Sequence, residues 1–148
     1  MFKNILVPTD GSEVSQKAAL KGVALAKAVG AKITAFFAAP PATPIVYRHS
    51  LPVGYVQPEE HQRLIDAATA KALGDVEAAC KDAGVDYAGL SATSDFPEDE
   101  ILKAAARSQC DLIVMGSHGH GGLRGALIGS VAQKVLGKAT VPVMIVKS

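Results

Sequence analysis

The stretch Leu112-Ile-Val-Met-Gly-Ser-His-Gly-His-Gly-Gly-Leu-Arg-Gly-Ala-Leu-Ile-Gly-Ser130 predicts a strand, a glycine-rich loop and the start of a helix in direct succession. The apolar run from Leu112 to Met115 is typical of a buried strand, and Gly116 ends it. Glycines let the backbone approach a ligand closely. The N–H groups and the dipole at a helix N-terminus favour an anion. The stretch therefore predicts a phosphate site, where Ser130, a good N-cap residue type, could also offer its hydroxyl.

The glycine loop by itself leaves a second interpretation open, because such loops after parallel strands often form only a tight turn. Other phosphate-binding motifs fit less well. A P-loop requires Gly-x4-Gly-Lys-Ser/Thr, whereas Gly137-Lys138 is followed by Ala139. The spacing Gly119-x-Gly121-x3-Gly125 is only related to the dinucleotide fingerprint, and no acidic residue follows it to hold a ribose hydroxyl.

Outside this stretch the chain alternates strand and helix patterns. Strands are predicted over 2–7, 31–38, 85–93, 111–115 and 142–147, and helices over 12–29, 59–83, 97–108 and 130–139. This alternation predicts one α/β domain over 1–148: an open five-stranded parallel sheet with helices on both faces, Rossmann-like. Asp10 and Gly116 follow the first and fourth strands, so a ligand site at a topological switch point places these strands side by side. The order 3-2-1-4-5 follows, with the polar–apolar third strand at one edge.

Residues 39 to 60 predict a long loop, because prolines occur there without a period, at Pro40, Pro41, Pro44, Pro52 and Pro58. The loop begins at the carboxyl end of the second strand and could fold over a ligand. Its candidate contacts are Tyr47, Arg48, His49 and Tyr55, and an exposed flap or a dimer-contact arm is the alternative. The acidic run 98–100 predicts a stabilised helix start, with Asp95 as the N-cap and Pro97 in the first turn.

Composition excludes several classes of protein. The net charge is +1, so there is no electrostatic case for binding nucleic acid or an anionic membrane. No apolar run approaches the roughly 20 residues needed to span a bilayer. Cys80 and Cys110 are too few for a disulfide framework and lack metal-ligand spacing. We therefore expect a cytoplasmic protein with two reduced cysteines.

The spacing Gly116-x2-Gly119-x9-Gly129-Ser130 resembles the nucleotide-binding signature of the universal stress protein family. Ile5-Leu-Val-Pro-Thr-Asp-Gly-Ser12 is similar to that family's first strand and turn, and residues 129–136 and 141–146 are similar to its last helix and strand. The resemblance therefore covers the whole chain. It implies the strand order given above and membership of the ATP-binding branch, with Mg²⁺ accompanying the phosphates. It also implies a homodimer through strand 141–146, whose apolar edge has little charge to protect it from pairing.

The resemblance further implies a set of nucleotide contacts. Those for the base, ribose and phosphates are Pro8, Thr9, Asp10, Ala38, Met115, Gly116, Gly119, Gly129, Ser130 and Val131. Ala38 stands where relatives commonly have a larger apolar residue, which predicts a looser adenine pocket. Arg124 is a candidate for the terminal phosphates because a guanidinium pairs well with phosphate oxygens, and a solvated loop arginine is the alternative. Asp10 could likewise be only a turn residue.

Four functional hypotheses remain at this point. The favoured one is a regulatory, stress-response ATP-binding homodimer with little or no turnover. A slow ATPase or nucleotidyl transferase would need an acid or base, for which Asp10, His118 and His120 are the candidates. A phosphoacceptor domain would need an acidic cluster, but Asp10 stands alone after the first strand. The fourth is an interaction module with a vestigial nucleotide site.

Overall fold

A computed structural model describes residues 1–39, 57–119 and 128–147, together with the backbone of 45–48 and 51–55. The elements in chain order are β1 (Asn4–Thr9), α1 (Glu13–Val29), β2 (Lys32–Ala39), β3 (Ile45–Arg48), β4 (Leu51–Tyr55), α2 (Pro58–Ala83), β5 (Tyr87–Thr93), α3 (Pro97–Arg107), β6 (Leu112–Gly116), α4 (Ser130–Lys138) and β7 (Val143–Val146). Five strands form one parallel sheet in the order β5-β2-β1-β6-β7. The predicted α/β fold and strand order are confirmed.

The central strands are buried on both faces, which explains why their sequences show apolar runs without alternation. In β1, Ile5 and Val7 belong to one core cluster with residues of α1 and α2. Leu6, between them, belongs to a second cluster with residues of α3 and α4. Side chains of successive strand residues point to opposite faces, so the sheet separates the two helix pairs. At the edge, β5 is largely exposed, as its mixed sequence predicted.

The segment predicted as a long loop contains a two-stranded antiparallel hairpin, β3 and β4. The register of this pairing shifts between Val46 and Tyr47, and Tyr47 pairs with Pro52. Proline has no N–H for a ladder, and it is tolerated where a strand is an edge or a bulge interrupts the pairing. In a two-stranded ribbon every strand is an edge, so the prolines that predicted a loop are compatible with strands.

Two predicted helix caps are wrong by one residue. The N-cap of α3 is Phe96, not Asp95. The residue before a proline is pushed towards extended backbone, and Pro97 therefore makes Phe96 the boundary. The N-cap of α4 is Gly129, and Ser130 is the first helical residue. By contrast, Ser12 caps α1 as predicted, because its side chain accepts a hydrogen bond from the Ser15 N–H.

The acidic run at the start of α3 does more than complement the helix dipole. Glu98 pairs with Lys134 at 3.6 Å and Asp99 with Lys138 at 3.3 Å, and both lysines lie on α4. Glu98 is only 5% exposed, although Lys134 reaches it from solvent. The two ion pairs tie the first turn of α3 to α4, a long-range contact that spacing within the run could not predict.

Both cysteines are buried and free. Burial, with a smaller contribution from Glu77, raises the pKa of the Cys80 thiol. Burial also raises the pKa of the Cys110 thiol. Each therefore behaves as a small apolar group at neutral pH. No helix within the described ranges combines the length and the apolar character needed to cross a membrane.

Candidate functional site

A cleft of about 270 Å³ opens at the carboxyl ends of the central strands. It is lined by every predicted site residue that lies in the described part of the chain: Pro8, Thr9, Asp10, Ala38, Met115, Gly116, Gly119, Gly129, Ser130 and Val131. The cleft lies at the ends of the neighbouring strands β1 and β6, whose onward connections leave in opposite directions. The cleft therefore occupies the topological switch point, where open α/β sheets bind ligands.

Some predicted contacts cannot be placed. Arg124, His120 and His49 lie outside the described residues, and so do the side chains of Tyr47, Arg48 and Tyr55. Their roles at the site remain predictions.

His118, the candidate acid or base, also lines the cleft, and the fold adds lining residues that were not predicted: Ser15, Phe36, Pro97, Ile101, Ser117 and Ala132. Phe36 sits opposite Pro8 in the register of β1 and β2, so only the strand pairing brings it to the cleft. Pro97 and Ile101 arrive through the packing of α3. Ser15 had a local signal, since it stands three residues after the cap Ser12, and this spacing brings the two side chains together on a helix.

Asp10 is held by hydrogen bonds from the start of α1. Its Oδ1 accepts from the Ser12 N–H and from the Ser15 hydroxyl, both over 2.9 Å. The Thr9 hydroxyl lies 3.1 Å from the Ser15 oxygen and also accepts from the Gly11 N–H. Gly11 has φ +82°, a conformation that glycine adopts without strain. The turn after β1 thus fixes one carboxylate at the mouth of the cleft.

Three glycines of the motif stand where an added side chain would be crowded by its neighbours. A Cβ on Gly119 would meet Asp10 Oδ2, and one on Gly116 would lie 3.0 Å from Val14 Cγ1 and 3.2 Å from the Val14 carbonyl. At Gly129 the obstacle is the Ser117 carbonyl, 3.0 Å from such a Cβ. Close packing therefore disfavours a side chain at each of these positions, and the three glycines present none of their own to the cleft.

The N-terminus of α4 faces the cleft. Gly129 donates its N–H to the Ser117 carbonyl over 2.6 Å, which ties the helix start to the end of β6. The first N–H groups of a helix have no acceptor within the helix, and the residues that carry them here, Ser130, Val131 and Ala132, line the cleft. This helix end can bind an anion through backbone N–H groups and its dipole.

His118 is the titratable ring nearest this helix start within the described cleft lining. Its Nδ1 lies 3.0 Å from Ser117 Oγ, and Ser117 is only 1% exposed. Within the described ranges, no cluster of three or more His, Cys, Asp or Glu side chains could hold a metal ion.

A family model described as the universal stress protein family matches residues 1–147. The chain belongs to the universal stress protein family.

Individual universal stress proteins show the same relationship. One from Methanocaldococcus jannaschii is 34% identical over 147 residues, covering 99% of this chain and 83% of the relative. One from Bacillus subtilis is 34% identical over 152 residues, covering 99% of this chain and 100% of the relative. A universal stress protein solved in complex with cAMP is 25% identical, with a TM-score of 0.70, over 99% of this chain and 97% of that one. The architecture and the family are thus established together.

Proposed function

We propose that this universal stress protein binds an adenine nucleotide, ATP with Mg²⁺, in the cleft, and acts as a regulatory, stress-response homodimer with little or no turnover. The observation that carries the proposal is that two segments far apart in the sequence meet at one cleft. The turn after β1 and the glycines around β6 and α4 line one cleft at the switch point. The solved relative in complex with cAMP supports an adenine nucleotide as the ligand class.

The residues present fit such a ligand. Phe36, Ala38 and Ile101 offer an apolar wall for a base, and Asp10 offers a carboxylate to hydroxyl groups. The start of α4, kept open by Gly129, offers N–H groups to phosphates. Mg²⁺ would supply charge neutralisation on the phosphate oxygens.

The test is to identify the nucleotide in purified protein and then measure binding. The released small molecules are identified by chromatography and mass after denaturation, for the wild type and for Gly116→Val. We expect adenine nucleotide near one per chain in the wild type and a strong loss in Gly116→Val, because the new side chain meets Val14. Gly137→Val is the matched control, since a Cβ on Gly137 meets nothing within 4 Å.

Two results would contradict the proposal. One is wild-type protein that is empty and also fails to bind added ATP with Mg²⁺. The other is equal nucleotide content in Gly116→Val and in Gly137→Val. In either case the glycine loop would be a structural turn. Ser130→Ala, measured beside them, distinguishes the contribution of the Ser130 hydroxyl from that of the backbone N–H groups at the start of α4. If the backbone N–H groups bind the phosphates, this variant should lose only a little affinity.

Slow hydrolysis of ATP is the second candidate function. The Ser117–His118 pair at the cleft favours it, because an imidazole beside a ligand can move a proton. Multiple turnovers that are abolished in His118→Ala or Asp10→Ala would establish it. A rate unchanged by both variants would assign the activity to a contaminant.

The homodimer is proposed through β7 and the residues before it, 141–146. β7 is an edge of the sheet, and its Met144 is 43% exposed. An unprotected apolar edge favours pairing with a second copy. A cytoplasmic location is also proposed, supported by two cysteines that are both free.

A further inference from the structure

We propose that Ser15 is a positioning residue that aims the Asp10 carboxylate at the sugar of the ligand, so that the cleft selects ribonucleotides over deoxyribonucleotides. This inference rests on the proposed nucleotide binding and deepens it by naming the part of the ligand that is read. It assigns a specific task to a buried hydroxyl at the start of α1.

The hydroxyl groups of Thr9, Ser12 and Ser15 form a network of hydrogen bonds that leads to the Asp10 carboxylate. Ser15 is 5% exposed, and Thr9 Oγ1 and Ser12 Oγ each lie 3.1 Å from its oxygen. Ser15 Oγ can donate to Asp10 Oδ1 over 2.9 Å or to the Ser12 carbonyl over 3.0 Å. Its single proton favours the charged acceptor. The Ser15 oxygen then accepts from Thr9 and Ser12, so both hydroxyls strengthen its bond to Asp10.

This chain fixes the plane of the carboxylate. Oδ1 accepts from two donors at the start of α1, the Ser12 N–H and the Ser15 hydroxyl. Oδ2 lies on the other side, against Gly119, where a Cβ would collide with it. Each carboxylate oxygen can accept about two hydrogen bonds, so Oδ2 can take a ligand hydroxyl beside its other contacts.

The chemistry of a nucleotide indicates which group Asp10 would meet. A carboxylate repels phosphates, which fit the start of α4, and it attracts hydrogen-bond donors. Within a nucleotide the sugar lies between the base and the phosphates, and its hydroxyls are the donors there. A site built to bond a hydroxyl discriminates against an analogue that lacks it, because a polar group is then left without its partner.

The experiment compares ATP with 2′-deoxy-ATP and 3′-deoxy-ATP, each with Mg²⁺, by calorimetric titration of nucleotide-free protein. We expect the wild type to favour ATP over at least one of the two analogues. We expect Ser15→Ala to reduce that ratio by roughly fivefold to tenfold, the effect of about one ordinary hydrogen bond. Affinity for the disfavoured analogue should change little.

Matched variants separate positioning from helix stability. Ser12→Ala removes the cap of α1 at the same helix end but keeps the Ser15–Asp10 hydrogen bond, losing only the support that the Ser12 hydroxyl gives it. It should therefore lower stability and reduce the ratio much less than Ser15→Ala does. Ser15→Thr keeps the hydroxyl and should keep the ratio. In an Asp10→Asn background, Ser15→Ala should have no further effect on it. If Ser15→Ala does not fold, Ser15→Cys, which is similar in shape but a weak donor, should lower the ratio in its place.

The outcomes distinguish this inference from the proposed function. A wild-type protein that binds no nucleotide would overturn both. A wild type that binds ATP and both analogues equally would overturn the inference alone. The same holds for a Ser15→Ala or Ser15→Cys variant that retains the wild-type ratio.

Discussion

Asp111 joins the starts of β1 and β6 through backbone hydrogen bonds. Its carboxylate accepts from the Lys3 N–H over 2.9 Å and from the Asn4 N–H over 3.1 Å. Desolvation raises the pKa of Asp111, but these N–H donors outweigh it, and the net pKa lies below the ordinary 3.8. The side chain of one aspartate therefore helps to align two central strands.

This shift predicts a pH-dependent contribution to stability. A carboxyl whose pKa is lower in the folded state stabilises the protein above its unfolded pKa, and the stabilisation is lost as pH falls through the folded value. We expect Asp111→Asn to lower the urea midpoint at pH 7, with the gap to wild type closing only below pH 3.8. Asp66→Asn, at an exposed position of α2, is the control. A gap that stays constant into acid would contradict this role.

At the residue scale, the sequence indicated which residues would lie together but not the interactions that hold them. It predicted that Asp10, Gly116 and Gly129 share one site, and all three line the same cleft. The sequence could not show that Gly119 lies so close to Asp10 that an added Cβ would meet Oδ2, since these residues are far apart in the chain. Phe36 was missed for the same reason: its place depends on the register of β1 and β2.

At the element scale, α1 packs unusually close to the sheet at Gly22. A Cβ on Gly22 would lie 2.9 Å from Val7 Cγ2, and Val7 is fully buried. Alanine normally stabilises a helix interior by about 0.5–1 kcal/mol relative to glycine. Here overpacking reverses the sign, because the branched Val7 side chain in the core has few alternative rotamers.

We therefore expect Gly22→Ala to destabilise the protein by about 1–3 kcal/mol. Gly74→Ala in α2 is the matched control, because a Cβ there meets nothing within 4 Å, and it should stabilise by about 0.5–1 kcal/mol. Equilibrium urea unfolding measures both. If Gly22→Ala also stabilised the protein, Val7 would have to be able to move, and the close packing would not be a constraint.

The elements of the main sheet could be predicted because their patterns are local. Apolar runs without alternation identified β1 and β6, and the glycines at 30 and 84 marked the ends of α1 and α2. Both adopt the left-handed conformation, with φ +74° and +72°. The β3–β4 hairpin was missed because Pro52 within β4 and the prolines on either side of the hairpin obscured the strand pattern. The α3–α4 ion pairs were missed because they join residues far apart in sequence.

At the scale of the whole molecule, the proposed homodimer depends on the edge strand β7 and its exposed side chains. Met144 is 43% exposed at this edge, so a lysine there should cost the isolated chain little. A charge on an edge strand opposes pairing with another strand. We expect wild-type protein to be a dimer by light scattering at micromolar concentration and Met144→Lys to be a monomer.

Leu64→Lys supplies the matched control for this assembly, because Leu64 is an apolar side chain 60% exposed on α2, which packs at the β5 end of the sheet, opposite β7. It should remain a dimer. Dimerisation that is coupled to folding also makes the unfolding midpoint rise with protein concentration. That dependence should be present in the wild type and in Leu64→Lys, and absent in Met144→Lys. A monomeric wild type would contradict the proposed dimer itself. A dimeric Met144→Lys would show that the interface does not lie at the β7 edge.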